Sequence, residues 1–403
     1  MDFFEEQEGQ LMDAIFQGNV SFSSDSTEND DTSYQPSSSC QDQSSPTRRE
    51  TEFQDMYNGG LGTDNCDKAL WMEWRFEEAD VSPFLWDFRR SIIEKHPNLD
   101  SDVEKLAMNF IYFFRTRDTT SGIYQRLGTD IFNQIARRSI LPGLVISEGE
   151  IVTMTRIATQ FSQLSHSQAS DFVLDEHMQE RHLKRLYMKF VKTPELWMID
   201  SLFPPQVSNE HGVIRAHWDP LLITYISTVP SSTSHWDAPF PPSEARKMTE
   251  DPVLQARRID YHITTSLLGK SCHFFIKEAK KGSQAARAFQ RDTENISLEL
   301  KDSLDHLCRQ KVNITKVSVF GLVVVGCARA VYEIALVSRG LYIMTAFAEV
   351  YVLRSNTDMH CLAGSIDTFQ KVKARIDGYI QAIATGESEM EQDWSMPPDQ
   401  IRP

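Results

Sequence analysis

The stretch VSVFGLVVVGCARAVYEIALVS, residues 317–338, is the most apolar run in the chain, and its reading sets the fold class. Its length alone would suit a membrane span. Arg329 and Glu333 fall inside it, each costing a few kcal/mol at mid-bilayer. They stand four residues apart, so on a helix they would share a face and pair. The expectation is therefore a buried central helix, apolar nearly all round, with one polar seam.

Working outward, the flanking segments read as amphipathic helices. WMEWRFEEADVSPFLWDFRRSIIEKH (71–96) has apolar residues at three- and four-residue spacings. In SDVEKLAMNFIYFFRTR (101–117), Val103, Leu106, Phe110 and Phe113 form one stripe. Helical patterns follow at 122–138, 149–164 and 176–191, then at 253–280, 284–309, 341–355 and 364–384. The Pro- and Ser-rich TVPSSTSHWDAPFPPSEARKMTEDP (228–252) reads as an internal loop. The fold class expected is all-α.

The 403 residues carry a net charge of −16. Residues 1–67 hold fifteen acidic side chains against Arg48 and Arg49, so −13 of that total lies there. Their Ser-, Asp- and Gln-rich middle has too few aliphatic residues to offset chain entropy. The organisation expected is a disordered acidic tail (1–68), a helical domain (69–207), a helical bundle (208–386) and a disordered tail (387–403). The overall acidity argues against a nucleic-acid partner and against anionic lipid. The six cysteines contain no CxxC pair and read as free thiols of a reducing compartment. The first residues lack a basic segment followed by an apolar one, so no signal peptide is expected.

Catalytic motifs are sparse. LLGKS (267–271) ends like a phosphate-binding loop, but Thr264 stands where the first glycine belongs. His177 and His182 are five apart, the wrong spacing for two ligands on one helix face. No GxSxG, HExxH or dinucleotide-binding glycine pattern occurs. No catalytic residue, cofactor or metal is expected on motif grounds.

One constellation stands out. In KVNITKVSVFGLVVVGCA (311–328), Val312 and Asn313 precede the apolar run, and Lys316 follows them. In AGSIDTFQKV (363–372), Gly364, Asp367, Thr368 and Phe369 are grouped. These segments resemble the first and second homology motifs of the Bcl (B-cell lymphoma) apoptosis-regulator family, in the family's order. DSLDHLCRQ (302–310) is similar to the helix entering the first motif. DPLLITYIS (219–227), with the loop after it, is similar to the opening helix and variable loop. Ile314, Thr315 and Lys316 replace the family's Trp, Gly and Arg, and Lys270 stands at the position of the aspartate of a third motif around Leu268 and Gly269.

The resemblance covers about 215–385 and implies a Bcl-like bundle with an apolar groove for amphipathic death-motif helices. Asn313, Lys316, Val317, Phe320 and Val324 would line that groove. The implied function is regulation of programmed cell death, in the cytoplasm or at the mitochondrial outer membrane, by protein binding and without enzymatic activity. The first block offers a weaker match. IYQRLGTDIFNQI (123–135) is similar to a death-motif helix at Tyr124, Leu127, Gly128 and Asp130, with one stripe at 123, 127, 131 and 135. ISEGEIVTMTRIA (146–158) resembles a first motif, with Gly149 matched and Glu150 for Arg. An ordinary amphipathic helix pair is the plainer explanation of this block. Two other functions stay open: a helical scaffold or structural or viral assembly protein with no groove ligand, and an enzyme with a site assembled from dispersed residues, its ionisable groups converging between the two blocks.

Overall fold

The computed structural model describes residues 74–385, apart from 96–98, 100, 117, 139–145, 176–180, 193–217, 245–257, 281–284, 313, 315–316, 326–327, 339 and 351–355. Residues 72–395 form one compact unit. The other unit, 1–71 with 396–403, lies outside the described residues, as do both expected tails.

The all-α expectation fails at the stretch that was to decide it. Residues 317–338 are two antiparallel strands, β7 (Ser318–Val325) and β8 (Ala328–Ser338), joined through 326–327 with Val325 opposite Ala328. They lie near the middle of a seven-stranded sheet of order β3-β9-β8-β7-β6-β5-β4. The other strands are β3 (Ile111–Phe114), β4 (Ser232–Pro239), β5 (Arg258–Leu267), β6 (Lys270–Lys280) and β9 (Leu341–Glu349). A small antiparallel pair, β1 (Arg75–Phe76) and β2 (Ala79–Asp80), stands apart.

The sheet consists of two antiparallel meanders, β4-β5-β6 and β7-β8-β9. They meet through the parallel pair β6/β7, which needs a crossover, and α8 (Ala285–Arg309) supplies it. At the far edge, β3 runs parallel to β9, so a strand from the expected first helical block completes a sheet built by the second.

Both faces of the sheet are covered. Gly321 of β7 faces α8, where a Cβ would lie 2.8 Å from Leu300 Cδ1 and 2.9 Å from Ile296 Cδ1. The opposite face carries α9 (Leu362–Ala384), whose Phe369 ring lies 6.4 Å from Phe275 and 6.3 Å from Trp218. A strand buried on both faces has no need to alternate, so it reads as one apolar run that periodicity cannot separate from a buried helix. The helical reading of 317–338 fails for that reason. The expected Arg329–Glu333 pair is absent as well. Arg329 donates to the Val350 carbonyl at 2.9 Å, while Glu333 pairs with Arg375 of α9.

Other expectations divide along the same line. The helices expected over 284–309 and 364–384 are α8 and α9. Those expected over 253–280 and 341–355 are β5, β6 and β9, and the loop expected over 228–252 contains β4. Before the sheet come α1 (Ser82–Lys95), α2 (Asp102–Met108), α3 (Gly122–Leu127), α4 (Thr129–Arg137), α5 (Glu148–Phe161), α6 (His166–Asp175) and α7 (Arg181–Val191). A π-helical turn, Leu222–Ile226, precedes β4. Among the described residues no helix is long and apolar enough to cross a membrane.

Candidate functional site

The β5–β6 hairpin turns on Leu268 and Gly269, both with positive φ (50° and 75°), the backbone of a tight two-residue turn. Glycine accepts that conformation without strain. The turn accounts for the Gly-Lys-Ser sequence, which serves as hairpin geometry here. From it the two strands pair until Tyr261 opposite Lys277. There they part. β5 stays with β4 as far as Arg258 opposite Pro239, and β6 stays with β7 as far as Lys280 opposite Val325.

Asp260 stands where the pairing stops. Its Oδ2 accepts the backbone N–H of Ala279 at 2.7 Å, so a side chain replaces a rung of the ladder. Glu278, buried, immediately precedes that amide. One residue beyond the last pair, the register sets Asp260 beside Glu278, and opposite residues of an antiparallel pair share a face. The result is a notch between two strands with a carboxylate on each side.

Lys277 lies next to Glu278 and points to the other face, 5.5 Å from the centroid of Trp236. It is fully buried, and its Nζ makes no hydrogen bond. Burial pushes its ammonium down to about 8, while the carboxylates of Asp219, Asp260 and Glu278 oppose that shift. Asp219 comes from the segment entering the π-helical turn, anchored by buried Trp218 on Phe369. Beside it, Tyr261 Oη lies 3.0 Å from Ser227 Oγ and 3.2 Å from Ser234 Oγ. Dispersed ionisable groups therefore converge on the end of the β5–β6 pair.

On the α8 face a row of imidazoles crosses from edge strand to helix. His235 stacks on His262 at 4.8 Å, His262 lies 5.6 Å from His273, and His273 lies 5.8 Å from His306. Burial first, and neighbouring imidazoles second, push His262 down to about 4 and His273 further still. Those two rings, His262 and His273, are kept neutral inside the fold.

Among the described residues, no group of three or more His, Cys, Asp or Glu is placed to hold a metal ion. Asp260 and Glu278 offer two hard oxygen donors. That suits magnesium, which is commonly held by one or two carboxylates together with waters and substrate phosphate oxygens.

The groove residues are scattered. Asn313 and Lys316 lie outside the described residues. Val317 is buried just before β7. Phe320 and Val324 are buried within β7, with Phe320 edge-on to Phe347 at 5.5 Å. All three are core. Gly364 is exposed on α9, Asp367 pairs with Lys371 at 2.7 Å, and Phe369 is core. The stripe expected through 123–135 is interrupted, because Gly128 (φ 77°) separates α3 from α4. Tyr124 Oη bonds Thr129 Oγ1 at 2.8 Å, Leu127 is buried and Asp130 is exposed.

Sequence reading missed Asp219, Asp260, Lys277 and Glu278. The signal was present as charged residues inside the alternating apolar runs RIDYHI and FFIKEAK. A helix over 253–280 gives those charges no common place to meet. Comparison of the chain with protein-family models, with curated proteins and with solved structures returns no match.

Proposed function

We propose that the chain is a hydrolase acting on phosphodiesters with a divalent cation, its site at the notch between β5 and β6. The observation that carries this reading is the placement of Asp260 and Glu278 on strands that part at that point, with Asp260 fixed by the Ala279 amide. It takes up the enzyme alternative with a different placement, since that alternative set the ionisable groups between the two blocks and the notch lies within the second. The death-motif groove needs a central helix over 317–338, and that segment is a hairpin of strands. Mitochondrial association followed only from that resemblance and is not carried forward.

The chemistry follows from the donor set. Asp260 and Glu278 would hold a hard cation, which when bound would supply Lewis-acid polarisation of a phosphoryl oxygen and a hydroxide nucleophile near neutral pH. Asp260 is oriented by the backbone, so its carboxylate is in position before substrate arrives. Lys277 and Asp219 set the local field from the opposite face of the sheet.

The test uses the full chain, bis(p-nitrophenyl) phosphate as a small diester, and Mg2+ or Mn2+ against EDTA. Asp260→Asn and Glu278→Gln should each lower kcat/KM by about 100-fold or more, with thermal unfolding close to that of the parent. Hydrolysis that survives both substitutions, or a folded chain inert with both metals, would reject the reading.

A further inference from the structure

Strand register fixes what else shares a face with the notch. His262 stands opposite Ile276, and Ile276 opposite Gly321, whose missing Cβ would meet α8. Asp260, two residues before His262, and Glu278, two after Ile276, therefore lie on that face of the sheet. So does Arg258, the next residue of β5 on the same side beyond Asp260. From β4 the face receives His235, opposite His262, and then Asp237.

The ladder is interrupted at Asp260 on both sides. Its pairing with β6 has already ended at Tyr261 opposite Lys277. On β4 the register passes from Trp236 opposite Tyr261 to Ala238 opposite Ile259, without pairing Asp237 and Asp260. Asp237 has a φ of 43°, so the edge strand departs from extended geometry at that point. Arg258 fills the opening as a diagonal neighbour of Asp237. Its Nε donates to Asp237 Oδ1 at 3.1 Å, and its Nη2 donates to the Asp237 carbonyl. Both side chains are exposed, at 61% and 58%, while Asp260 is half-buried and Glu278 is buried behind it. The notch thus opens to solvent on the β4–β5 side, with Arg258 at its mouth.

We propose that Arg258 binds the anionic phosphoryl oxygens of the substrate, and that Asp237 is the acid it holds when no substrate is bound. The inference rests on the hydrolase reading for the bond that is cut, and on Arg258 itself for phosphate binding. An anionic diester entering beside Asp260 and Glu278 needs positive charge from the chain. Lys277 cannot meet it, because it points to the opposite face. Two residues of strand span about 7 Å, so Arg258 reaches a phosphate placed at Asp260. A guanidinium matches two phosphate oxygens with two parallel N–H donors, and here it already grips two oxygens of one acid. An ion pair exposed to water holds its partners weakly, so the exchange of Asp237 for phosphate is a small step.

The first test needs no turnover. Phenylglyoxal modifies exposed arginines, and peptide mass mapping of the full chain in Mg2+ follows Arg258 and, as an internal control, Arg90. Arg90 pairs with Asp87 at 3.0 Å and is 50% exposed, so it is a similar surface pair far from any notch. Inorganic phosphate should slow modification of Arg258 by about fivefold or more and leave Arg90 unchanged. In hydrolysis of bis(p-nitrophenyl) phosphate, Arg258→Gln should raise KM by about tenfold with kcat within about twofold, and Arg258→Lys should recover part of the loss. Asp237→Asn, which removes the competing carboxylate, should lower KM by about two- to fivefold. A merely structural pair would leave KM where it was in both variants. Arg258 left unprotected or protected no better than Arg90, KM unmoved in Arg258→Gln, or KM raised in Asp237→Asn each overturns the inference. Its failure is separable from that of the hydrolase. Hydrolysis that depends on Asp260 and Glu278 but not on Arg258 removes this inference alone, and selective protection of Arg258 in a chain inert toward diesters keeps the phosphate site and removes the hydrolase.

Discussion

Replacing Gly321 by alanine separates a strand at 317–338 from a helix by the sign of the stability change. In the sheet, the new Cβ would stand 2.8 Å from Leu300 Cδ1 and 2.9 Å from Ile296 Cδ1. Both side chains belong to α8 and are fully buried, so neither can swing away into solvent. Overpacking of this kind costs about 1–3 kcal/mol, while removing a strand glycine returns about 0.5–1 kcal/mol of backbone entropy. The net expectation is a loss of about 1 kcal/mol for Gly321→Ala, and about 3 kcal/mol for Gly321→Val, which inserts two further carbons. On a helix the same Gly→Ala change would gain about 1 kcal/mol. Urea denaturation followed by tryptophan fluorescence measures the difference. A thermal midpoint lowered by about 2 °C for each kcal/mol would agree with it. If Gly321→Ala proved as stable as the parent or more so, the contact between α8 and β7 would be refuted.

The remaining expectations concern the core and its charges. Phe369→Ala, removing a fully buried ring between Trp218 and Phe275, should cost about 3–5 kcal/mol in the same assay. Arg115 and Asp102 form a buried ion pair joining the end of β3 to α2, so Arg115→Met should cost about 3–5 kcal/mol by stranding the carboxylate. The double variant with Asp102→Asn should recover part of that loss, and a strictly additive double variant would show that the pair is not coupled. Acid should destabilise the fold through His273, whose folded pKa is held far below its ordinary 6.5, chiefly by burial. Only the unfolded chain takes up that proton, so its contribution is intact above pH 6.5 and falls by about 2 kcal/mol by pH 5. Unfolding midpoints measured from pH 7 to 5 should fall less steeply in His273→Gln, and an equal slope would count against a buried neutral imidazole.

What could be read from the sequence depended on how many faces each element buries. Helix α8 was legible although it is buried almost throughout, because Ile296, Leu300, Leu304 and Leu307 keep a helical period among Asp, Glu and Lys. Helix α9 was legible for a similar reason, with Ile366, Phe369, Val372 and Ile376 on one stripe. Strands β7 and β8, covered on both faces, carry apolar residues at nearly every position and erase the period of two that would have named them. The family resemblance then fitted residues such as Val317 and Phe320 to a helix, since the motif match weighed residue identity where periodicity was silent. Branching held information that the match ignored. Five valines and an aromatic within 317–325 favour an extended backbone, in which branched side chains pack on the pleat.

The site shows the converse problem. Asp260 and Glu278 are eighteen residues apart, and nothing local relates them until a two-residue turn at Leu268–Gly269 folds β5 back on β6. Once the segment is a hairpin, the apolar alternation of RIDYHITTSL and KSCHFFIKEAK makes their charges anomalous, since carboxylates at the buried end of central strands are costly unless paired or bound. The parting of the strands meets part of that cost through the Ala279 amide on Asp260. A purely structural aspartate could satisfy the same amide, but it would not require an acid beside it on β6. A divalent cation held by both carboxylates would draw on their combined charge. Added Mg2+ or Mn2+ should therefore raise the unfolding temperature of the parent chain and leave that of Asp260→Asn/Glu278→Asn unchanged. An equal rise in both proteins would place the cation elsewhere and remove the physical reason for a catalytic notch.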